Sequence, residues 1–466
     1  MGLEFDQPLI AKLAAIVGDE QVRTDSQSAA IYGIDWTRVY QPAPGAVVLP
    51  KTVEQVQALV QLAIAENLAI VASGGRTGLS GGAVAARGEL LIALDNLNGM
   101  RDFNAIDRTV VCGAGVITEQ LQNFAEQEGL FYPVDFASSG SSQIGGNIST
   151  NAGGIKVIRY GMTRDWVAGL KVVTGNGQLL DLNKGLKKNN AGYDLRQLFI
   201  GGEGTLGIVV EATMQLCRPP VDLSVLVLGV SDMSAIMDVL NTYQNKIDLT
   251  AFEFFSERAL QKVIAHGDLN RPFETPAEYY ALLEFEQISA DTEELAMTLF
   301  EHCVEQGWVV DGVISQSTAQ LKNLWRLRED ISETISQWMP YKNDISVLPS
   351  RVPDFLLNVE SVVNQQYPDF EIIWFGHIGD GNVHLNILKP DDLAMDEFQQ
   401  RCDVVSKQVF AIVEAYGGSV SAEHGVGLLK KDYLSYTRSK EEIDLMKQIK
   451  TVFDPKGIMN PGKIFD

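Results

Sequence analysis

Apolar positions along this chain recur with two different periods, and the mixture changes from one region to the next. Ala46-Val47-Val48-Leu49 reads as a strand ended by Pro50. Thr52 then caps a helix whose apolar positions Val53, Val56, Val60 and Ile64 fall at helical spacing. Residues 68–72 are the next predicted strand. They run directly into Ser73-Gly74-Gly75-Arg76-Thr77-Gly78-Leu79-Ser80-Gly81-Gly82. Residues 90–94 and 109–112 read as further strands, with a helix over about 118–128. Strand–helix alternation with a glycine-rich strand exit is how phosphate-bearing cofactors are commonly held. A hairpin follows over 170–182, turning at Gly175-Asn176-Gly177.

Two further tracts interrupt these periods. Residues 138–154 are crowded with Gly, Ser and Asn, which suggests backbone packed closely around a ligand. Gly202-Glu203-Gly204-Thr205-Leu206-Gly207 has the spacing of a dinucleotide fingerprint. A Rossmann loop opens a helix, however, and 208–213 reads as a strand, so NAD is excluded. Pro219-Pro220 marks a boundary. Beyond it, strands at 225–230 and 280–284 alternate with helices at 234–246 and 291–306, the pattern of an α+β domain with an antiparallel sheet. An amphipathic helix over 441–452 closes the chain before Asp454-Pro455-Lys456-Gly457.

Composition narrows the function. A chain of 466 residues exceeds one compact core, so two or three domains are expected. The net charge of -23 argues against nucleic acid and against an anionic membrane surface, and any anionic substrate needs local cations. No apolar run approaches the roughly 20 residues of a membrane-spanning helix. The acidic start of the chain does not read as a signal peptide, so a cytoplasmic location is expected. The four cysteines, Cys112, Cys217, Cys303 and Cys402, are far apart and suggest reduced thiols.

The chemistry is concentrated late in the chain. Three of the five histidines lie in two glycine-bracketed segments, 376–386 and 421–427. Two imidazoles and a carboxylate form a ligand set for Zn²⁺ or another divalent metal and leave positions open for a substrate. His384 and Asn386, two apart, share a face if this is a strand. The Gly379-Asp380-Gly381-Asn382 turn can swing His377 to that side. Glu423 and His424 are adjacent, so only one of them can comfortably be a ligand. Structural histidines beside a surface turn are the plainer alternative. Arg328 and Ser332 are four apart on a predicted helix, and Lys342 follows it; the three could grip a carboxylate. From spacing alone, a solvated face is the simpler reading of Arg328 and Glu329.

Taken together the motifs resemble the vanillyl-alcohol-oxidase type flavoproteins. Residues 72–78, Ile144-Gly145-Gly146-Asn147 with Thr150-Asn151-Ala152-Gly153-Gly154, and residues 202–207 are similar to that family's FAD-binding loops. Gly376-His377-Ile378-Gly379-Asp380-Gly381-Asn382, Ala422-Glu423-His424-Gly425 and Asp454-Pro455-Lys456-Gly457 look like its D-2-hydroxyacid dehydrogenase branch. The resemblance implies an α+β fold: a two-part FAD-binding domain of two α/β subdomains (1–218), a substrate or cap domain with an antiparallel sheet (219–420), and a segment (421–466) that completes the active site and packs back on the FAD domain.

It also implies that FAD contacts Ser73, Gly74, Gly75, Arg76, Thr77, Gly78, Leu79, Ser80, Gly145, Gly146, Asn151, Gly154, Glu203, Gly207, Ile208 and Asn460. His377, His384 and Glu423 would bind Zn²⁺, or Mn²⁺, Fe²⁺ or Co²⁺ in its place. Asn386 and His424 would meet the substrate, with His424 as the base. Arg328, Ser332 and Lys342 would hold a second carboxylate, which implies oxidation of D-2-hydroxyglutarate to 2-oxoglutarate. Ser332 stands where relatives have Thr, and the Arg-to-Lys gap is one residue shorter. D-malate, D-lactate and glycolate therefore remain alternatives, and a Zn-dependent hydrolase is the alternative of another class. No histidine precedes His266, so the flavin is expected to be non-covalent. Electron-transfer flavoprotein or a quinone would accept the electrons, and a homodimer is left open.

Overall fold

The computed structural model describes residues 5–289 and 291–466. The chain divides into two compact units. One comprises the chain up to Gly153 with Gly161–Pro219 and Glu423–Asp466; the other comprises Gly154–Tyr160 and Pro220–Ala422.

In the first unit Ala46–Val48, Leu90–Ala93 and Ile70–Ser73 pair in parallel, with Leu90–Ala93 in the middle. These strands are almost wholly buried, which is why they read as unbroken apolar runs. Thr52 caps the helix Val53–Glu66 by accepting from the Gln55 amide, and Val56, Leu59, Val60 and Ala63 of that helix join the sheet's core. Parallel pairing ends there. Met100–Asn104, Thr109–Gly113, Gly207–Gln215, Val167–Thr174 and Leu179–Leu182 form a second sheet in that order, antiparallel throughout. The strand–helix alternation read across the first half thus describes only the first sheet. Gly207–Gln215 follows directly on the Gly202-Glu203-Gly204 loop, so that loop opens a strand, as the exclusion of NAD requires.

One helix has no signal in the pattern. Ile144–Thr150 lies inside the small-residue tract. Ser149 Oγ donates to the Gly145 carbonyl (2.7 Å) and Thr150 Oγ1 to that of Gly146 (3.1 Å). The hydroxyls that made the tract look like a loop turn back onto their own helix.

The second unit is built on seven antiparallel strands. Their spatial order is Val309–Ile314, Leu223–Val230, Tyr279–Glu286, Leu249–Ser256, Ile372–Gly376, Asn382–Ile387 and Tyr341–Ser346. Helices Met233–Gln244 and Thr292–Glu305 stand close to the predicted positions. Among the described residues, no helix is long and apolar enough to cross a membrane.

Candidate active site

The first unit gathers the glycine loops. Ser73 ends its strand with Oγ donating to the Tyr32 carbonyl (3.2 Å). Two residues on, a side chain on Gly75 would place its Cβ 2.3 Å from the Ser141 carbonyl oxygen and 2.8 Å from Ser142 Cα. Only glycine allows that approach. Arg76 adopts a left-handed backbone (φ 60°), and its guanidinium makes two hydrogen bonds to Asp95 (3.1 and 2.8 Å) while lying over the Tyr32 ring. Its charge is therefore already matched. Gly81 N donates to Asp35 Oδ2 (2.7 Å) at the loop's end. Burial pushes the Asp35 carboxyl upward in pKa. Nothing in the local pattern singled Asp35 out.

The other expected cofactor residues have mixed placements. Asn460 Nδ2 donates to the carbonyls of Gly82 (2.9 Å) and Glu203 (2.6 Å), tying two loops together. The Glu203 carboxylate accepts from the amides of Val426 (2.7 Å) and Gly427 (2.8 Å), so its side chain braces the segment after His424. Burial raises its pKa, against the pull of those two amides. Leu428 and Leu429 donate to the Ser80 carbonyl, and a Cβ on Gly427 would meet that oxygen at 2.2 Å. Gly145 and Gly207 are also packed closely: a Cβ would stand 2.6 Å from Ala114 Cβ on the first and 2.7 Å from the Val173 carbonyl oxygen on the second. Ile208 is buried in its strand. Asn151 accepts from the Arg164 amide (3.0 Å). Gly154 groups with the second unit. Gln143 Oε1 and Asn460 Oδ1 are buried acceptors with no hydrogen-bond partner among the described residues. Such atoms suit a ligand carrying N–H donors, as the adenine and flavin rings of FAD do.

The second unit gathers side chains on one sheet face. Register sets Lys342 opposite Asn386 and Asp344 opposite His384. The two-residue alternation of both strands aims these four to one side. On the other flank Asn386 faces Ile373 and His384 faces Phe375. His377 follows the strand Ile372–Gly376, and the turn at Gly381 (φ 87°) brings its ring 5.4 Å from that of His384. A Cβ on Gly381 would stand 1.9 Å from the Val347 carbonyl, so this turn needs glycine. The two imidazoles predicted as ligands are thus neighbours.

Two carboxylates beside them had no sequence signal. Glu253 Oε1 lies 2.8 Å from His377 Nδ1. Asp344 Oδ1 lies 3.8 Å from His384 Nδ1 and accepts from Asn382 Nδ2 (3.0 Å). Arg328 is buried, with its guanidinium 4.6 Å above the Phe375 ring. The solvated-face reading of Arg328 is therefore wrong. Its Nη2 lies 2.8 Å from Glu253 Oε2 but off the hydrogen-bonding axis, so Nε and Nη2 have no hydrogen-bond partner among the described residues. The helix Thr318–Glu329 stops one residue after Arg328, and Ser332 begins anew in Ile331–Thr334. Ser332 Oγ accepts from Lys342 Nζ (3.4 Å), and burial lowers the Lys342 pKa. Asn386 Nδ2 makes long contacts, 3.5 and 3.4 Å, to the Ile373 and His384 carbonyls.

Glu423 and His424 belong to the first unit. His424 Nε2 stands 3.6 Å from Glu423 Oε1, inside ion-pair range and longer than a hydrogen bond.

Two family descriptions match this chain: an FAD binding domain over residues 44–183, and the C-terminal domain of FAD linked oxidases over residues 220–464. Solved structures share the fold at low identity. Alkyldihydroxyacetonephosphate synthase superposes with a TM-score of 0.76 at 18% identity, covering 99% of this chain and 86% of that one. Substrate-bound p-cresol methylhydroxylase gives 0.75 at 17%, covering 98% and 96%. The fold is that of the vanillyl-alcohol-oxidase type, and the class is an FAD-linked oxidoreductase. That class sets the hydrolase alternative aside.

Within it, this chain belongs to the D-2-hydroxyglutarate dehydrogenase family. It is 63% identical to the D-2-hydroxyglutarate dehydrogenase of Stutzerimonas stutzeri (strain A1501), covering 99% of both chains. Identity to that of Xanthomonas citri pv. viticola is 53%, covering 98% and 97%. The mitochondrial D-2-hydroxyglutarate dehydrogenase of Arabidopsis thaliana is 33% identical, covering 99% of this chain and 82% of its own.

Proposed function

We propose that this chain oxidises D-2-hydroxyglutarate to 2-oxoglutarate, using non-covalent FAD and a divalent metal, Zn²⁺ foremost, held by His377, His384 and Glu423. The observation that carries the reading is the buried Arg328. Among the described residues its Nε and Nη2 lack hydrogen-bond partners, and it packs on Phe375, whose ring lies 5.1 Å from that of His384. A buried guanidinium with donors to spare suits a second carboxylate on the substrate. In a chain of net charge -23, such a cation must act locally.

FAD, when bound, would supply a hydride acceptor, and a metal held by His377, His384 and Glu423 would supply a Lewis acid. Arg328 and Lys342 hold the far carboxylate, with the Ser332 hydroxyl beside Lys342 Nζ. Binding at that end orients C2, so distance from the reacting carbon is no obstacle to a rate effect. Asn386 Nδ2 donates to a substrate oxygen. His424 takes the hydroxyl proton on an imidazole nitrogen. Backbone amides of the loop after Ser73, with Arg76 already matched by Asp95, meet the pyrophosphate. Electrons leave to an acceptor such as electron-transfer flavoprotein or a quinone.

Anaerobic mixing with D- and L-2-hydroxyacids tests the reading. D-2-hydroxyglutarate should bleach the flavin's visible band fastest. Equal or faster bleaching by D-lactate, glycolate or D-malate would overturn the diacid assignment.

A further inference from the structure

Glu253 occupies a place that the expected site residues do not explain. It lies on the strand Leu249–Ser256, buried along its whole length, and its own side chain is 1% exposed. A carboxylate taken out of water must be compensated, and Glu253 divides its oxygens between two partners. Oε1 lies 2.8 Å from His377 Nδ1. Oε2 lies 2.8 Å from Arg328 Nη2.

The geometry of the second contact matters. A carboxylate that served only to hold an arginine would meet it fork to fork, consuming two N–H groups. Here Oε2 sits off the N–H axis, and Arg328 Nε and Nη2 remain without hydrogen-bond partners among the described residues. Glu253 cancels the buried charge without using the donors. The first contact also has one physical sense. Facing an ionised carboxylate, which only accepts, a neutral His377 ring carries its hydrogen on Nδ1, which leaves Nε2 as the nitrogen with a lone pair. Carboxylates behind metal-bound imidazoles orient the ring and raise its basicity.

We propose that Glu253 is a positioning residue that serves both ends of the substrate at once. It sets the His377 ring in the Nδ1–H form for a metal, and it keeps Arg328 charge-compensated with open N–H donors for a carboxylate. The proposal rests on the metal-and-diacid reading above.

Two measurements test it. The first is ¹H–¹⁵N correlation of the histidine rings in the metal-free wild-type holoprotein, with His377 assigned by its disappearance in His377→Asn; the chain has five histidines. The Nδ1–H form at His377 is expected, and an Nε2–H form would overturn the proposal. The second is competition with a graded chelator for Zn²⁺, in wild-type and Glu253→Gln proteins of equal flavin content. The variant should bind Zn²⁺ about 10- to 100-fold more weakly. Unchanged affinity would overturn the role of Glu253. Wild-type protein that takes up no Zn²⁺ would instead count against the metal reading, while the ring measurement still decides on Glu253. Should Glu253→Gln fail to fold, the ring form in the wild-type protein upholds or overturns the proposal by itself.

Discussion

Around the loops of the first unit, close contact is made largely by backbone. Gly75 lies against the Ser141 carbonyl, Gly427 against that of Ser80, and Arg76 is paired with Asp95. Lys463, its amine pushed down to about 8 by burial, donates to the Val84 carbonyl. On the sheet face of the second unit the groups are side chains, and some keep capacity in reserve. Among the described residues Arg328 has N–H groups with no hydrogen-bond partner, and the Asn386 and Lys342 contacts are long. A cofactor that stays bound can be held largely by shape, with a few acceptors such as Gln143 Oε1 and Asn460 Oδ1 left for its ring N–H groups. A substrate that enters and leaves needs groups that bond when it arrives. Substitutions in the first region should therefore cost flavin content and stability, and those in the second should cost turnover and selectivity.

The largest effect should cut across that division. His424 lies in the first unit yet is assigned the proton transfer. His424→Ala should lower kcat/KM for D-2-hydroxyglutarate about 10²- to 10⁴-fold at unchanged flavin content. Steady-state rates within threefold of wild type would remove the base assignment. Next comes Lys342→Ala. Losing a charge-assisted contact should cost about 2–3 kcal/mol, roughly 30- to 150-fold in kcat/KM for the diacid, with D-lactate turnover hardly altered. A parallel drop for both acids would show that Lys342 supports the fold and does not select the substrate.

Gly75→Ala sharpens the other side of the comparison. Its new methyl group must displace backbone, which should lower stability by about 1–3 kcal/mol and reduce the flavin retained through purification. A variant with full flavin and an unshifted thermal midpoint would contradict the packing argument. The smallest effect, a few-fold, concerns pH. Burial disfavours the charged Lys342 amine and lowers its pKa. As pH rises through that value the cation is lost, so KM for D-2-hydroxyglutarate should climb toward alkaline pH while KM for D-lactate stays level. Identical profiles for the two acids would count against Lys342 as the selecting charge.

The same contrast explains what could be read in advance. The glycine loops were legible because their constraint is local: a left-handed turn or a close approach shows at a single position. His377, His384 and their intervening turn were legible for the same reason. Glu253 was not, since its partner His377 lies 124 residues away and its strand is buried on both faces, leaving no alternation to mark a polar position. Asp344 depended on cross-strand register, which the local pattern leaves open. Arg328 looked like a surface residue because its burial comes from Phe375 and Glu253, distant in the chain. The helix Ile144–Thr150 escaped notice because its hydroxyls bond within it.

In the proposed reading, His377 and His384 would hold a metal while Arg328 and Lys342 hold the far carboxylate of the same substrate. Chelator-treated protein that retains its flavin should not be bleached by D-2-hydroxyglutarate under anaerobic conditions, and added Zn²⁺ should restore bleaching. Full-rate bleaching in protein shown by elemental analysis to be metal-free would contradict the account.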